Sequence, residues 1–425
     1  MRRAALVPLV AVALVLAACG PAAPPAMPLA FVGADEQVYT YDVAGGPPRR
    51  VSSTSLLPPP YAASVTYQWP TWSPDGQQLA YLQFARNAGG QSGSAVIVSR
   101  ADGSHAHEVF ENEPGGTLVT PFYLSWAPDG SQIALGAQRG SSAAVLLLDP
   151  TGGRDPQFVT TGSPVFYAWA PNSRSLLVHP FGSARANPRA EVALFHVERT
   201  WDERFVLPVR PVGFHTPAWS PDGAHAAVAT EQPGQGARLL VFDTASGLAT
   251  PLLEVTRAPS FTWSPDGSRL ALMQRENDTK PFAPALDVVS AADGSRVRVA
   301  DGNISAFFWS PDGHRIAFAR FHDQGGPGTT WWIVDADGHN PVRLGSYLPD
   351  DDSFVLLLFF DQYAQSMSPW SPDGKYFTFS GSPVGEPTGP SHVYVAPTDG
   401  SSPPYALAEG HMPAWPAPPP RLARG

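Results

Sequence analysis

The sequence has almost no cysteine and no concentrated positive charge. Cys19 is the only cysteine among 425 residues, so the chain cannot form an internal disulfide. Lysine and arginine number 27 against 37 aspartates and glutamates, which gives a formal net charge of −10, and the basic residues form no dense run. An acidic chain without a basic stripe argues against nucleic acid as a partner.

Long hydrophobic runs are also scarce. The apolar segment 4–18 follows the charged start Met1-Arg2-Arg3, and it is shorter than the roughly 20 residues that span a bilayer. The run FVLLLFF at 354–360 has only the length of a strand. The sequence therefore predicts a signal peptide over residues 1–18 and no membrane-spanning segment after it.

The end of this leader, LAAC at 16–19, resembles a bacterial lipobox. The resemblance implies that Cys19 is lipidated and becomes the mature N-terminus, and that residues 19–28 form a flexible Pro/Ala tether. It also implies an exported protein, lipid-anchored to the outer side of the cytoplasmic membrane or to the outer membrane. The alternative is an ordinary signal peptide with an incidental cysteine.

One short turn motif occurs seven times in the sequence. WSPDG stands at 72–76, 219–223, 263–267, 309–313 and 370–374, WAPDG stands at 126–130, and a worn copy, WAPNS, stands at 169–173. Repeats with periods of about 20 to 50 residues indicate a solenoid or a propeller. After each turn come an alternating apolar run, a variable loop, a second run that often ends in DG and, in most units, a shorter closing segment. Four short strands per unit predict the blades of an all-β propeller.

The two ends of the chain complete one unit between them. The start, PLAFVGAD, QVYTYDVAGG and PRRVS, supplies three strands without a first strand, whereas HMPAWPAPPP at 411–420 supplies a first strand without partners. We therefore predict a single domain over residues 29–420, followed by a tail at 421–425. This domain is an eight-bladed β-propeller of four-stranded blades, with one blade shared by both termini. Seven blades with a loose terminal flap are the alternative.

The repeated residues have geometric roles. Proline fixes φ at the second turn position, serine or aspartate accepts hydrogen bonds from nearby N–H groups, and glycine takes the left-handed conformation. The tryptophan can fill the wedge between neighbouring blades. We therefore predict structural turn or packing roles, rather than catalysis or metal binding, for Trp72, Asp75, Gly76, Trp126, Asp129, Trp169, Trp219, Asp222, Trp263, Asp266, Trp309, Asp312, Trp370, Asp373 and Trp415.

The WSPDG-strand-loop-strand-DG unit resembles the propeller repeat of the TolB translocation protein, and of the prolyl oligopeptidases and dipeptidyl peptidase IV. The resemblance covers nearly the whole mature chain and implies the fold more than an activity. TolB-like proteins carry an α/β domain ahead of the propeller, whereas the repeats here begin about ten residues after Cys19. The peptidases add an α/β-hydrolase domain, for which residues 29–420 leave no room, and the sequence has no G-x-S-x-G nucleophile motif.

Candidate binding residues lie where the variable loops emerge, opposite the turns. Function commonly resides in irregular loops on a rigid scaffold, so we predict that the loop face and channel mouth bind the ligand. The candidates are Tyr67, Gln68, Tyr123, His215, Phe360, Asp361, Gln362, Tyr363 and His411. The last unit also carries an insertion at 346–368, which is either a ligand-binding element or an extra strand or short helix that caps the channel. His215 and His411 should lie on opposite sides of the ring, too far apart to share a metal.

These patterns favour a non-catalytic binding or scaffold protein of the cell envelope. We expect no catalytic residues, no metal and no cofactor. The expected partner is a cell-envelope protein or an extracellular glycan or peptide, with the membrane reached through Cys19. The alternative is an enzyme that acts on carbohydrate or peptide at the channel mouth. An enzyme should show clustered ionisable groups with shifted pKa values there, and a scaffold should show a broad apolar patch.

Overall fold

The computed structural model describes residues 28–52, 64–90, 92–112, 119–213, 215–232, 234, 236–276, 280, 282–322, 328–386 and 389–418. The predicted signal peptide, Cys19, nearly all of the tether and the tail at 421–425 lie outside these residues. In this part of the chain, no helix is both long and apolar enough to cross a bilayer.

The described residues fold mainly into antiparallel strands, and four sheets have four strands each. The first contains β4 (Ser64–Trp72), β5 (Gln78–Arg86), β6 (Ser92–Arg100) and β7 (His107–Asn112). The second contains β8 (Val119–Trp126), β9 (Ile133–Arg139), β10 (Ser142–Leu148) and β11 (Gln157–Gly162). The third contains β12 (Val165–Trp169), β13 (Ser175–Pro180), β14 (Ala193–His196) and β15 (Phe205–Val206), with a short 3-10 helix at Trp201–Glu203. The fourth contains β16 (Ala218–Trp219), β17 (His225–Gln232), β18 (Gly236–Asp243) and β19 (Ala249–Val255).

The remaining strands form one continuous sheet of thirteen. They are β20 (Ala258–Trp263), β21 (Arg269–Arg275), β22 (Ala283–Ser290), β23 (Arg296–Trp309), β24 (Arg315–Phe321), β25 (Thr329–Asp335), β26 (Val342–Leu348), β27 (Tyr376–Pro383), β28 (His392–Pro397), β29 (Tyr405–Ala414), β1 (Leu29–Gly33), β2 (Val38–Tyr41) and β3 (Arg49–Arg50). The sheet is continuous for two reasons. β23 and β29 each pair with one unit through their first half and with the next unit through their second half, and β26 pairs with β27. As predicted, the two ends of the chain meet, since β1 pairs antiparallel with β29.

The second strand of each unit carries a nearly unbroken apolar run. In β5, the consecutive residues Leu79, Ala80, Tyr81 and Leu82 are all 2% exposed or less. Both faces of such a strand must therefore be covered, as happens when sheets pack against neighbours on either side. One hydrophobic cluster accordingly contains residues from β1, from the first three four-stranded sheets and from β29.

The WSPDG turns close by hydrogen bonds between their own residues. In the first copy, the Ser73 hydroxyl donates to Asp75 Oδ1 at 2.6 Å, and Asp75 Oδ1 accepts the Gln77 N–H at 3.0 Å. Gly76 has φ of +67°, a conformation that other residues adopt only with strain. The same serine-to-aspartate bond recurs at Asp222, Asp266, Asp312 and Asp373. Asp129 likewise accepts the Ser131 N–H.

A ladder of indole hydrogen bonds joins neighbouring units at the turn end of their first strands. Each donating tryptophan reaches the backbone carbonyl of the residue that precedes the tryptophan of the unit before it. The Nε1–H groups of Trp72, Trp126, Trp169, Trp219, Trp263, Trp309 and Trp370 donate at 3.1–3.3 Å to Ala414, Thr71, Ser125, Ala168, Ala218, Thr262 and Phe308. Trp415 is buried, but its indole nitrogen has no partner; only its backbone N–H donates, to Ser368.

The indole ladder predicts that a Trp→Phe substitution lowers stability by different amounts at two buried positions. Trp72→Phe removes the hydrogen bond to the Ala414 carbonyl, whereas Trp415→Phe removes no hydrogen bond. Both substitutions delete similar apolar area, so Trp72→Phe should lower the free energy of unfolding by about 1–2 kcal/mol more. Guanidinium denaturation of the two variants measures this difference. Equal destabilisation would show that the ladder contributes only packing.

Candidate functional site

Two short helices fill the insertion of the last unit. They are α1 (Asp351–Leu358) and α2 (Phe360–Tyr363), and together we call them the plug. Asp350 caps α1, since its carboxylate accepts the Ser353 N–H at 2.8 Å. Of the alternatives that the sequence left open, the structure therefore has helix rather than strand.

The polar residues of α2 bond to first strands from different sheets. The side chain of Gln362 bonds Tyr167 twice, accepting its N–H at 2.8 Å and donating to its carbonyl at 2.9 Å. The backbone carbonyl of Gln362 accepts the Tyr123 hydroxyl at 2.8 Å. Asp361 Oδ2 accepts the Thr216 N–H at 3.0 Å. These strands must therefore face a common axis, and α2 lies on it.

The aromatic residues of α2 pack in other directions around the same axis. Phe360 contacts Phe307, with ring centres 4.7 Å apart. Tyr363 lies 4.9 Å from Trp69 and 5.0 Å from Tyr123. All four residues of α2 are at most 7% exposed. The plug thus closes the loop-side mouth of the channel with its own side chains.

The structure places the predicted ligand-binding residues in separate parts of the molecule. Tyr123 and the four residues of α2 come together as packing and hydrogen-bonding partners of one another. Tyr67 is buried in another cluster, where its hydroxyl accepts from Gln83 at 3.0 Å, and Gln68 beside it is half-buried. Their role in binding stays a prediction, but ligand contact with α2 from the loop side would require the plug to move.

His215 is held in one neutral tautomer. Its Nε2 accepts the Ala229 N–H at 3.2 Å, so Nδ1 carries the proton that bonds to the Val212 carbonyl at 2.7 Å. Complete burial, helped by the neighbouring His179 whose ring lies 4.7 Å away, holds the pKa of His215 well below its usual value. Both ring nitrogens are engaged within the protein.

His411 belongs to a separate ionic cluster on the loop side. Its Nδ1 lies 2.8 Å from Asp352 Oδ2 and its Nε2 lies 3.8 Å from Glu36 Oε2. Asp350 joins them, and the ligand atoms of Asp350, Asp352 and His411 lie within 4.8 Å of one another. A cation could be held at such a spacing, yet each group has a partner within the cluster or, for Asp350, in Ser353 and Ser391. The contacts fasten α1 to β29.

An open cavity of about 440 Å³ lies on the other side of the plug. Its outer rim includes the turn prolines Pro128, Pro171 and Pro221, and its inner end includes Asp361 and Gln365. We call it the turn-side cavity. The sequence predicted ligand binding at the loop face and the channel mouth, and it could not have shown which end of the channel the insertion fills.

Asp361 is the most perturbed acidic group near the axis. Burial raises the pKa of this carboxyl from 3.8 to about 6, against the opposing effects of the Thr216 N–H and the positive charge of Arg275. Among the described residues, no cation lies within salt-bridge distance of Asp361. Above about pH 6, the site therefore holds a buried and unpaired negative charge.

Several residues of this region carried no sequence signal. Thr216 and Gln365 occur in irregular segments outside the repeated strands, and Trp69 is not one of the turn tryptophans. The Asp350–Asp352–His411 cluster was also missed because its members lie in different units. Trp69 and Thr216 share one feature, since each lies three residues before a turn tryptophan.

Comparison with known proteins shows the fold and no more. No protein-family model and no curated protein matches the chain. A prolyl endopeptidase structure matches with a TM-score of 0.56 at 12% identity, covering 84% of this chain and 51% of that one. The chain thus spans about half the length of that enzyme. A eukaryotic initiation factor structure matches with a TM-score of 0.53 at 14% identity, covering 93% and 99% of the two chains.

TolB from Acinetobacter baumannii matches as well, with a TM-score of 0.41 at 15% identity over 79% of this chain and 81% of that one. The likenesses to the prolyl endopeptidase and the initiation factor, together with the four-stranded sheets, support an all-β propeller. This agrees with the fold class that the repeats predicted.

The raised pKa of Asp361 predicts that this residue lowers the free energy of unfolding by an amount that depends on pH. Because the folded-state pKa is raised to about 6, the contribution of this group to stability falls as pH rises from its ordinary pKa to about 6 and stays low above that. Asp361→Asn keeps an acceptor for the Thr216 N–H but has no charge, so it should be more stable than the parent at pH 7–8 by roughly 2–3 kcal/mol. Denaturation at several pH values measures this gap, which should close near pH 4. A gap independent of pH would contradict the argument.

The pKa of His411 predicts the opposite slope. Burial lowers its pKa, but the hydrogen bond to Asp352 and the charges of Asp352, Asp350 and Glu36 outweigh this effect and leave the pKa raised. Its stabilising contribution is therefore present below the ordinary histidine pKa and is lost as pH rises through the higher folded-state value. His411→Gln should be destabilised by roughly 1 kcal/mol at pH 5.5–6, and less at higher pH. Thermal unfolding across this range checks the trend, and a deficit that grows with pH would refute it.

Proposed function

We propose that the chain is an exported, lipid-anchored, eight-bladed β-propeller that binds a protein partner of the cell envelope without catalysis, through the outer face of its plug. The lipid anchor rests on the LAAC motif that ends at Cys19. The binding face rests on the exposed apolar side of α1.

Eight blades are supported by the links between the two ends of the chain. The Trp72 indole donates to Ala414, so the first complete unit is bonded to the C-terminal strand. The same strand pairs with β1 through Ala30 and Ala414. In the shared unit, β1 is thus paired on both sides, with β29 and with β2, and is not an edge strand.

The outer face of the plug exposes large apolar side chains. Phe354, Val355 and Phe359 are 41%, 40% and 38% exposed, whereas Leu357 and Phe360 on the inner side are buried. The spacing of Phe354, Val355 and Phe359 places them on one face of the helical segment. We call these three residues the plug patch. The other exposed large apolar residues that the structure describes are scattered over outer strands and their connections.

The surroundings of the plug patch indicate the chemistry of its partner. Asp351 precedes Phe354 by one helical turn on the same face and is exposed. The neighbouring acids Asp352 and Glu36 are only partly shielded, with exposed fractions of 34% and 43%. An apolar patch with an acidic edge suits a protein surface that offers apolar residues flanked by lysine or arginine.

Enzymatic action on carbohydrate or peptide at the channel mouth is the alternative. The His411 cluster favours it, because ionisable groups gather there and the pKa of His411 is raised. Its hydrogen bonds, however, run between α1 and β29 rather than toward an open pocket. Within the described residues, Asp361 is the only ionisable side chain that lines the turn-side cavity, and general acid–base catalysis ordinarily uses more than one positioned group.

Site-specific photocrosslinking tests the binding face. A tagged chain with benzoylphenylalanine in place of Val355 should give a discrete adduct in the membranes of cells that express it. The same probe in place of Val206, 43% exposed on β15, is the matched control and should give none. Phe354→Ser combined with Phe359→Ser should abolish the adduct, whereas Phe205→Ser should not.

Adduct formation at both positions alike would mean nonspecific contact and would contradict the proposal. Loss of the adduct in the Phe205→Ser control would contradict it as well. An adduct that survives the double plug-patch substitution would place the partner on another surface.

A further inference from the structure

The turn-side cavity is a blind pocket rather than a through channel. The turn-side ends of several first strands form its walls, and the plug forms its floor. Pro221 at the rim is exposed, and Gln365 is exposed although it lies at the inner end. Solvent therefore reaches the floor from the turn face, on the opposite side of the plug from the plug patch.

The floor of the cavity is rich in hydrogen-bond acceptors. Asp361 contributes a carboxylate that is 7% exposed and accepts the Thr216 N–H at 3.0 Å. The backbone N–H groups of Asp361 and Gln362 also favour its ionised form. Thr216 also lines the cavity, and its hydroxyl is buried without any hydrogen-bond partner. Gln365 uses one N–H of its Nε2 to donate to the Tyr167 carbonyl at 3.2 Å, so its side-chain carbonyl oxygen and one N–H remain available.

The walls are aromatic and offer no free indole donors. Trp169, Trp219 and Trp263 line the cavity, and all three commit their indole N–H groups to the ladder. Their rings can still attract a cation or cover an apolar stem. Acceptors at the floor beneath aromatic walls match a ligand that has a donor-rich positive head and a short apolar body.

We propose that the turn-side cavity binds a primary ammonium group carried on a short apolar stem. An ammonium has three N–H donors and no acceptor, which suits the Asp361 carboxylate, the Thr216 hydroxyl and the Gln365 carbonyl. A charge-assisted hydrogen bond would satisfy the buried carboxylate. A small amine and the free N-terminus of a peptide share this chemistry. The proposal does not depend on a partner at the plug patch.

Three probes test the site in the full chain. They are n-butylammonium, its neutral counterpart n-butanol, and an Ala-Leu-Ala amide with a free N-terminus, each titrated by saturation-transfer NMR. n-Butylammonium should bind saturably at pH 7.5 and at least about tenfold more tightly than n-butanol. Tighter binding of the peptide would identify a peptide N-terminus as the natural head group, and tighter binding of n-butylammonium would identify a small amine.

The variants separate the charge of Asp361 from its shape. Asp361→Asn should weaken n-butylammonium roughly tenfold or more and leave n-butanol unchanged, and Thr216→Val should weaken it by a smaller factor. Asp301→Asn removes the same charge from an outer-strand site that is 75% exposed and should have no effect. In the parent protein, affinity should fall as pH drops through about 6, where Asp361 gains its proton.

Three results would overturn the proposal. One is the absence of saturable binding by either amine. Another is equal affinity for n-butylammonium and n-butanol. The third is a parent protein whose affinity is unchanged between pH 7.5 and 5, which would exclude Asp361 even if its variant failed to fold.

Discussion

The hydrogen bond from a turn tryptophan to the carbonyl of the preceding first strand is the contact on which the rest of the fold depends. It needs a residue with a long, rigid side chain and one terminal donor, and tryptophan supplies both. Because donor and acceptor stand at the same place in successive units, one bond geometry sets the distance between neighbouring first strands wherever the ladder is formed. The ladder holds the strands at their turn ends and leaves a space between them.

The plug follows from that space. First strands held apart by indoles cannot close the channel by their own side chains, and on the loop side the last unit supplies a separate element to fill it. The plug is an asymmetric element in a repeated fold. Each residue of α2 contacts a different part of the surrounding units; the four residues are Phe360, Asp361, Gln362 and Tyr363. The break in the ladder at Trp415 lies beside Ser368, at the end of the insertion that carries the plug, so symmetry is lost where the insertion joins the repeated strands.

The predictable part of this molecule is the part that repeats. The WSPDG copies specify strand ends and turns through local chemistry, as Ser73, Asp75 and Gly76 illustrate, and the unpaired first strand at the C-terminus indicated its pairing with the N-terminus. The residues around the axis were less predictable. Asp361 and Gln362 were recognised as unusual, but their burial depends on where α2 docks, which no local pattern specifies. The places of Thr216 and Gln365 in the cavity lining are evident only from the folded structure. The His411 cluster joins units that are far apart in sequence.

The buried charge of Asp361 lowers stability more than any other feature of the site, and it is therefore the most informative. The Thr216 N–H that donates to this carboxylate would be served equally by the neutral oxygen of an asparagine. The carboxylate has no cation within salt-bridge distance among the described residues, and the hydroxyl of Thr216 is buried without a partner. Such groups lower stability unless something satisfies them. Departures from local consistency of this kind concentrate at functional sites. A ligand with a positive, donor-bearing head supplies what both groups lack, whereas packing of the plug alone gives no reason for either.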